Sequence, residues 1–241
     1  MIDLLHGLGF DPNELDKSNE STPLIKAIKR KADNVVRLLL SYPDVDYNLK
    51  DNYSVSPLMY SCQYGIKEFV KLLLQKPNIN INETDNGKQT TLIKAVLTGQ
   101  VEIVQILLES NEIDVNFQDS YGQSPLFYTC ITGNLDILTI LLADGRTDAN
   151  IKNSQGWTPL MISAQYGRPD VVRRLCLSNK DINVNDKNVD EATALEIACV
   201  YHQHDVIKEL IQFSKIDLNV ISADFLDKPE NSTIKSILTL K

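Results

Sequence analysis

The sequence predicts an all-α fold with short β-hairpin tips: a solenoid of six full repeats flanked by degenerate half-repeat caps. The first observation behind this prediction is a period. A phrase of Thr or Ser, usually followed by Pro and then by Leu, returns at steps of 34, 34, 34, 34 and 35 residues. The second observation is that each phrase opens two successive apolar patterns with the period of a helix. Such a chain forms a stack, because one unit cannot bury its apolar face alone. The leucines of the phrase are Leu24, Leu58, Leu92, Leu126, Leu160 and Leu195.

The phrase marks the start of a first helix in every repeat. Its Thr or Ser has a hydroxyl that can accept a hydrogen bond from a free amide, and Pro suits the first helical position. The last repeat lacks the proline, but its Thr193 and Glu196 fit a capping box. Apolar residues at the leucine and at three and four positions later, such as Leu92, Ala95 and Val96, define one helical face.

A turn and a second helix complete each repeat. Seven residues after the leucine, four repeats carry a glycine that can end the first helix in the left-handed conformation. Lys31 and His202 stand at this position in the outer repeats. The second helix has an apolar stripe, for example Val104, Leu107 and Leu108. The glycines are Gly65, Gly99, Gly133 and Gly167.

The connection between repeats is polar. An Asn recurs 24 or 25 residues after each leucine, where it can bond backbone groups and stabilise a turn. Turn-forming sequences such as 51–53, 85–87 and 119–122 follow and predict hairpin tips. The recurring residues are Asn48, Asn82, Asn116, Asn150, Asn185 and Asn219.

With the Thr-Pro-Leu phrase, the helix-ending glycine and the apolar second helix all in register, the chain resembles the ankyrin-repeat family over about residues 14–219. The His that follows the phrase in that family is absent here, and Ile, Met, Phe or Glu replaces it. The resemblance implies one ankyrin-repeat domain over residues 1–241. Its repeats would be 14–47, 48–81, 82–115, 116–149, 150–184 and 185–218.

The two ends read as half repeats. Residues 1–13 form the predicted N-terminal cap, because Leu4 and Leu5 are in phase with the second helices. Residues 219–241 form the degenerate C-terminal cap, with a closing helix predicted from Ser232. Half repeats shield the ends of a solenoid, and a piece cut from a longer chain would look the same.

Charge and composition limit the partners. The formal net charge of −8 disfavours nucleic acid, since phosphate binding needs clustered Lys and Arg. The start of the chain is unlike a signal peptide, and no apolar run is long enough to insert into a membrane. Cys62, Cys130 and Cys199 occupy one equivalent apolar position, which favours free structural thiols. We therefore expect a monomeric protein in the cytoplasm, with the nucleus possible.

Catalytic motifs are missing from the sequence. It contains no P-loop, no G-x-S-x-G and no H-E-x-x-H, and no triad can be built on its three histidines. His202 and His204 could bind a metal, but their place in the inter-helix turn favours a solvated loop. The tip residues Asp51, Asp85 and Asp119 are interpreted as turn formers. The sequence thus predicts no enzyme activity, no cofactor and no metal.

The candidate partner-binding residues lie where the repeat does not dictate residue type. Positions five and six after the leucine point away from the buried helix face. The family resemblance implies that these positions and the tips line a concave groove in which partners dock. Tyr and Trp there are typical of binding hot spots, although they can also pack on neighbouring tips. The candidates are Lys29, Arg30, Tyr53, Gln63, Tyr64, Tyr121, Gln123, Trp157, Gln165, Tyr166 and Tyr201.

The predicted function is that of a protein-interaction module for a protein or peptide partner. One alternative is a regulatory or targeting domain for an enzyme or channel domain outside this chain. Another is small-molecule binding between the tips, against which the negative charge argues. The basic cluster of Lys26, Lys29, Arg30 and Lys31 indicates either a solvated outer face or a dock for an acidic segment.

Overall fold

The computed structural model describes residues 9–18, 20–178 and 180–239, which form short helices joined by tight turns. The predicted all-α repeat architecture is confirmed. Across the described residues, β pairing is limited to one isolated bridge between Thr84 and Thr90. The tips are therefore turns, because the few residues between tip and helix leave no room for a ladder. The N-terminal cap helix predicted around Leu4 and Leu5 lies outside the described residues.

The chain consists of two compact units, Met1–Asp114 and Val115–Lys241. In the described part of the first unit, three helix pairs follow one another. First helices pack on first helices, and the second helix of the middle pair packs on that of the third pair, as in a stacked repeat. The helices are α1 Pro23–Lys29, α2 Asp33–Leu40, α3 Pro57–Gln63, α4 Lys67–Leu74, α5 Thr91–Leu97 and α6 Val101–Leu108.

The second unit has three more pairs and a closing segment. Its first helices pack on one another in chain order, and so do its second helices. The closing helix predicted from Ser232 is present and packs on the last second helix, with Ile234 and Ile237 buried. The helices are α7 Pro125–Thr132, α8 Leu135–Ala143, α9 Pro159–Gln165, α10 Pro169–Cys176, α11 Ala194–Val200, α12 His204–Leu210, α13 Ala223–Leu226 and α14 Ser232–Leu238, with a 3₁₀ turn at Pro229–Asn231.

The predicted N-caps are confirmed in all six first helices. The Thr22 hydroxyl accepts from the Ile25 amide at 3.2 Å, and the five other caps repeat this bond. The capping box is also present, because the Glu196 carboxylate accepts from the Thr193 amide at 2.8 Å. Each such cap stabilises its helix by about 1 kcal/mol.

The turn after each first helix keeps the left-handed conformation whether or not glycine is there. Gly133 has φ of 74°, and the non-glycine residues Lys31 and His202 have φ of 55° and 51°. The outer repeats therefore hold two residues in a conformation that L side chains adopt at a cost. The repeat geometry prevails over the local preference, since both flanking helices depend on this turn.

The core is built from the two apolar patterns. The six phrase leucines are buried, and so are the second-helix residues facing them, such as Val104 and Leu107. Burying one such side chain stabilises the fold by about 1.5–3 kcal/mol. Cys62, Cys130 and Cys199 are free and buried as predicted, and burial raises the pKa of the Cys130 and Cys199 thiols to about 12.

The recurring Asn of each connection bonds the next connection along the chain. In the first unit, the Asn82 side-chain amide donates to the Glu112 carbonyl at 2.7 Å, and its oxygen accepts from the Asp114 amide at 2.8 Å. In the second unit, Asn116 makes the same pair of bonds to Arg146 and Asp148. The prediction that Asn stabilises a turn is thus incomplete, because these bonds also join residues about one repeat length apart in the sequence.

Candidate partner-binding surface

Each tip is a turn organised by one side chain. The Asp119 Oδ1 atom accepts from the amides of Tyr121 and Gln123 at 2.9 and 3.0 Å, and the Asp119 amide donates to the Gln123 carbonyl. The interpretation of Asp51, Asp85 and Asp119 as turn formers is confirmed. Asn153 and Asn188 take the same role in the last two tips.

The second carboxylate oxygen of each tip Asp has a different partner. It bonds the residue two positions after the phrase leucine, which is Lys or Tyr wherever the tip begins with Asp. Where the tip begins with Asn153 or Asn188, that helix position is Ile162 or Ile197. The bonded pairs are Asp16–Lys26 at 2.8 Å, Asp51–Tyr60 at 2.6 Å, Asp85–Lys94 at 2.6 Å, and Asp119–Tyr128.

The sequence analysis missed these pairs, although the sequence contains a signal for them. The two positions vary together along the repeats of this one chain: Asp goes with a donor, and Asn goes with Ile. A buried carboxylate needs partners for both oxygens, because an unpaired one costs its full desolvation. The pairing therefore fastens each Asp-type tip to its own first helix.

Lys29 belongs to the same arrangement in the first unit. Its Nζ lies 3.3 Å from the Asp51 Oδ2 atom and 4.1 Å from the centroid of the Tyr60 ring. Tyr60 in turn stacks on Tyr64, with centroids 5.8 Å apart. Burial, followed by the bond to Asp51, raises the pKa of Tyr60. Lys29 is thus engaged internally.

The other three residues of the basic cluster differ in whether their side chains have a partner within the chain. Lys26 pairs with Asp16, whereas the side chains of Arg30 and Lys31 are exposed and make no hydrogen bond or ion pair inside the described part of the first unit. The structure therefore leaves two of the four cations free for a partner.

The candidate aromatic residues of the first unit are exposed at the ends of one chain of contacts. Tyr53 is 61% exposed at its tip, and its carbonyl accepts from the Asn86 amide of the next tip at 3.3 Å. Tyr64 is exposed at the end of α3, and Gln63 beside it is half-buried. Lys29, Tyr60 and their contacts connect these two positions.

The tips of the second unit are linked by backbone hydrogen bonds. The Ser154 amide donates to the Tyr121 carbonyl at 3.4 Å, and the Val189 amide donates to the Gln155 carbonyl at 3.2 Å. The tips approach closely: a Cβ on Gly122 would lie 2.5 Å from the Ser154 nitrogen. Tyr121 is 70% exposed, while the candidates Gln123 and Trp157 are half-buried.

The first-helix ends of the second unit form a row that we call the tyrosine strip. Tyr166 and Tyr201 are each 49% exposed, and Val200 is 62% exposed. The Gln165 Nε2 atom donates to the Tyr201 hydroxyl oxygen at 2.9 Å and so connects α9 with the end of α11. The strip consists of Ile131, Thr132, Gln165, Tyr166, Val200 and Tyr201.

The described residues contain no group of three His, Cys, Asp or Glu side chains arranged to hold a metal ion. His202 and His204 are ring neighbours, with centroids 6.4 Å apart, in the turn between α11 and α12. As for membranes, none of the helices in residues 9–18, 20–178 and 180–239 is both long and apolar enough to span a bilayer.

Comparison with known proteins gives a consistent picture. The family model described as ankyrin repeats (3 copies) matches residues 1–85, 80–153 and 145–222. No curated protein sequence matches this one.

Similar solved structures include two ankyrin-repeat proteins. One is the ankyrin repeat domain of Bcl-3, described as a unique member of the IkappaB protein family. It is 26% identical with a TM-score of 0.76, covering 87% of this chain and 90% of its own. The other is EF0377, described as an ankyrin repeat protein. It is 22% identical with a TM-score of 0.74, covering 85% of this chain and all of its own.

Proposed function

This chain belongs to the ankyrin-repeat family, and from that premise we propose that it binds a protein or peptide partner through its tips and first-helix ends. Ankyrin repeats are in general protein-interaction modules. The action proposed here is noncovalent recognition without catalysis. The free thiols suit a reducing compartment, so we place the protein in the cytoplasm or nucleus.

One observation carries the proposal: the tyrosine strip exposes aromatic and aliphatic side chains that the fold does not need. The residues that cap, turn and fill the core are all accounted for elsewhere in the repeat. Tyr166 and Tyr201 still leave about half of their surfaces open, and Val200 leaves more. Tyrosines are enriched in binding hot spots, where truncation costs about 2 kcal/mol or more.

The Tyr201 ring is also restrained before any partner arrives. The bond from Gln165 restrains the Tyr201 hydroxyl, and α9 packs directly on α11. A preorganised side chain loses less conformational freedom on binding, and so more of its contact energy appears as affinity.

The test uses a displayed random-peptide library selected on the immobilised wild-type protein. Binding of the selected peptides is then measured for the Tyr166→Ala/Tyr201→Ala double variant. We expect a loss of about 30-fold or more, the equivalent of about 2 kcal/mol. The matched control is Leu177→Ala, which removes an exposed apolar side chain at the end of α10.

The control should bind like the wild type, and thermal melting should show both variants folded. Selected peptides that bind the double variant as tightly as the wild type would contradict the proposed surface.

A further inference from the structure

We propose that a pocket near the C-terminal end of the second unit binds a small organic cation, namely an apolar group that carries an ammonium head. The pocket has a volume of about 130 Å³. Glu196, Cys199 and Val200 line it from one side of α11, and Ile221 and Phe225 line it from the segment that contains α13. This site goes beyond the proposed function, because neither tyrosine of the strip lines it.

The pocket exists because the segment after the last full repeat covers α11 only in part. Within the second unit each first helix packs on the next, whereas the closing helix α14 packs on α12. Residues 219–226 come directly after the last full repeat, and their helix α13 has four residues, none of them buried. Part of the α11 surface therefore borders a cavity.

Glu196 occupies a helix position that is apolar in every earlier repeat. The residue one position after the phrase leucine is buried in the first five repeats, whereas Glu196 is half-buried. The last repeat thus places a carboxylate where the others contribute to the core. The five apolar residues are Ile25, Met59, Ile93, Phe127 and Met161.

The carboxylate of Glu196 has one oxygen left for a ligand. Its Oε2 atom accepts from the Thr193 amide at 2.8 Å and from the Thr193 hydroxyl at 3.0 Å. Its Oε1 atom has no hydrogen bond or ion pair within residues 9–18, 20–178 and 180–239, and it is not sealed from water. An ammonium group can donate a charge-assisted hydrogen bond to this oxygen. An anion there would be repelled.

The rest of the pocket suits an apolar body. Ile221 stands two positions after the recurring Asn, where the five earlier repeats carry Lys, Thr or Gln. Phe225 is half-buried and Val200 is exposed. A cavity of about 150 Å³ can hold benzene, so the pocket has room for a group close to the size of a phenyl ring.

The thiol in the pocket wall makes the binding noncovalent. Burial, followed by the negative charge of Glu196, raises the pKa of Cys199 to about 12. The thiol therefore stays protonated at neutral pH, and the thiolate is the reactive form of cysteine. The ligand is held by packing and by its charge, and the net charge of −8 attracts cations to the protein.

The experiment is a titration of the isotope-labelled full chain, followed by amide chemical shifts in NMR spectra. The three ligands are phenethylamine, which is a cation at neutral pH, the neutral phenethyl alcohol, and the anion phenylacetate. We expect the amine to shift the amides of Cys199, Val200 and Phe225 and to bind about fivefold more tightly than the alcohol, because it alone pairs with Glu196. Phenylacetate should bind more weakly than either.

The Glu196→Gln variant tests the charge. Gln also forms a capping box at this helix position, so the fold should be kept. The amine should then lose its advantage over the alcohol. The matched control is Glu191→Gln, which removes an exposed carboxylate from the preceding tip and should leave the advantage unchanged.

The Phe225→Ala variant tests the apolar wall and does not depend on the capping box. It keeps the charge, so it should weaken the amine and the alcohol by a similar factor. The inference would be overturned if the amine bound no more tightly than the alcohol, if its shifts centred away from α11 and α13, or if Glu196→Gln kept the preference. Any of these results would leave the proposed function standing, because its test depends on Tyr166 and Tyr201.

Discussion

The tip carboxylates Asp51 and Asp119 each divide their two oxygens between a turn and a helix. Oδ1 accepts two backbone amides, and Oδ2 accepts the hydroxyl of Tyr60 or Tyr128. Both carboxylates are buried, so removing the hydroxyl leaves an oxygen with neither water nor that donor. The last two repeats avoid the problem by combining Asn with Ile.

This arrangement predicts the outcome of a double-mutant cycle at one tip. Tyr128→Ile alone should lower the free energy of unfolding by about 1–3 kcal/mol, because Asp119 loses the partner of a buried oxygen. Adding Asp119→Asn to it should recover much of the loss, since the pair then matches that of the fifth and sixth repeats. Urea unfolding followed by circular dichroism measures both changes. A double variant as unstable as the sum of its two single variants would contradict the pairing.

Sequence alone predicts those residues whose partners are close along the chain. The caps Thr22 to Thr193 bond amides three residues away, and all six were predicted correctly. The partner of Asp51 is nine residues away on a helix, and Lys29 reaches it from the preceding repeat. The sequence interpretation treated Lys29 as available to a binding partner. It could not include the contact with Asp51, because that contact joins two repeats of the same chain.

At the scale of elements, the recurring Asn joins one inter-repeat connection to the next. Asn116 bonds the Arg146 carbonyl and the Asp148 amide, both at 2.8 Å, and Asn150 and Asn185 make the equivalent bonds further along. Within each unit, these bonds add directional contacts to the non-directional packing of the helices. They hold the connections at a constant spacing.

The Asn116→Ala variant tests this role. It removes two hydrogen bonds, so the free energy of unfolding should fall by about 1–3 kcal/mol. Asn183→Ala is the matched control, because Asn183 enters the same type of bond through its backbone amide alone. Urea unfolding should show the control close to the wild type. If the two variants were equally stable, the Asn side chains would not link the successive connections.

The elements themselves could be predicted because the signals for them repeat. Six phrases and six apolar stripes gave the helix pairs, and the stripe around Ile234 and Ile237 gave the closing helix α14. No pattern in the sequence predicted the short α13 helix, which has no buried residue. The expected β-hairpin tips form no strands in the described residues, because a tip has room for one bridged pair of residues at most.

At the scale of the whole molecule, the tyrosine strip stands out as an uncharged exposed surface on an acidic chain. The chain carries a net charge of −8, yet the tyrosine strip is uncharged and exposes two rings and a valine. The negative charge elsewhere favours solubility, and an uncharged strip favours recognition by shape and ring packing. Sequence position predicted which residues would face outward, but it could not give the bond between Gln165 and Tyr201.

The most direct test of this account is a hydroxyl-radical footprint of the full chain with and without a library-selected peptide. The account predicts that binding protects Tyr166 and Tyr201 from oxidation. Leu135 and Leu177, which lie together on the second-helix side of the second unit, should oxidise at an unchanged rate. Protection of Leu135 and Leu177 with unaltered tyrosines would contradict the account.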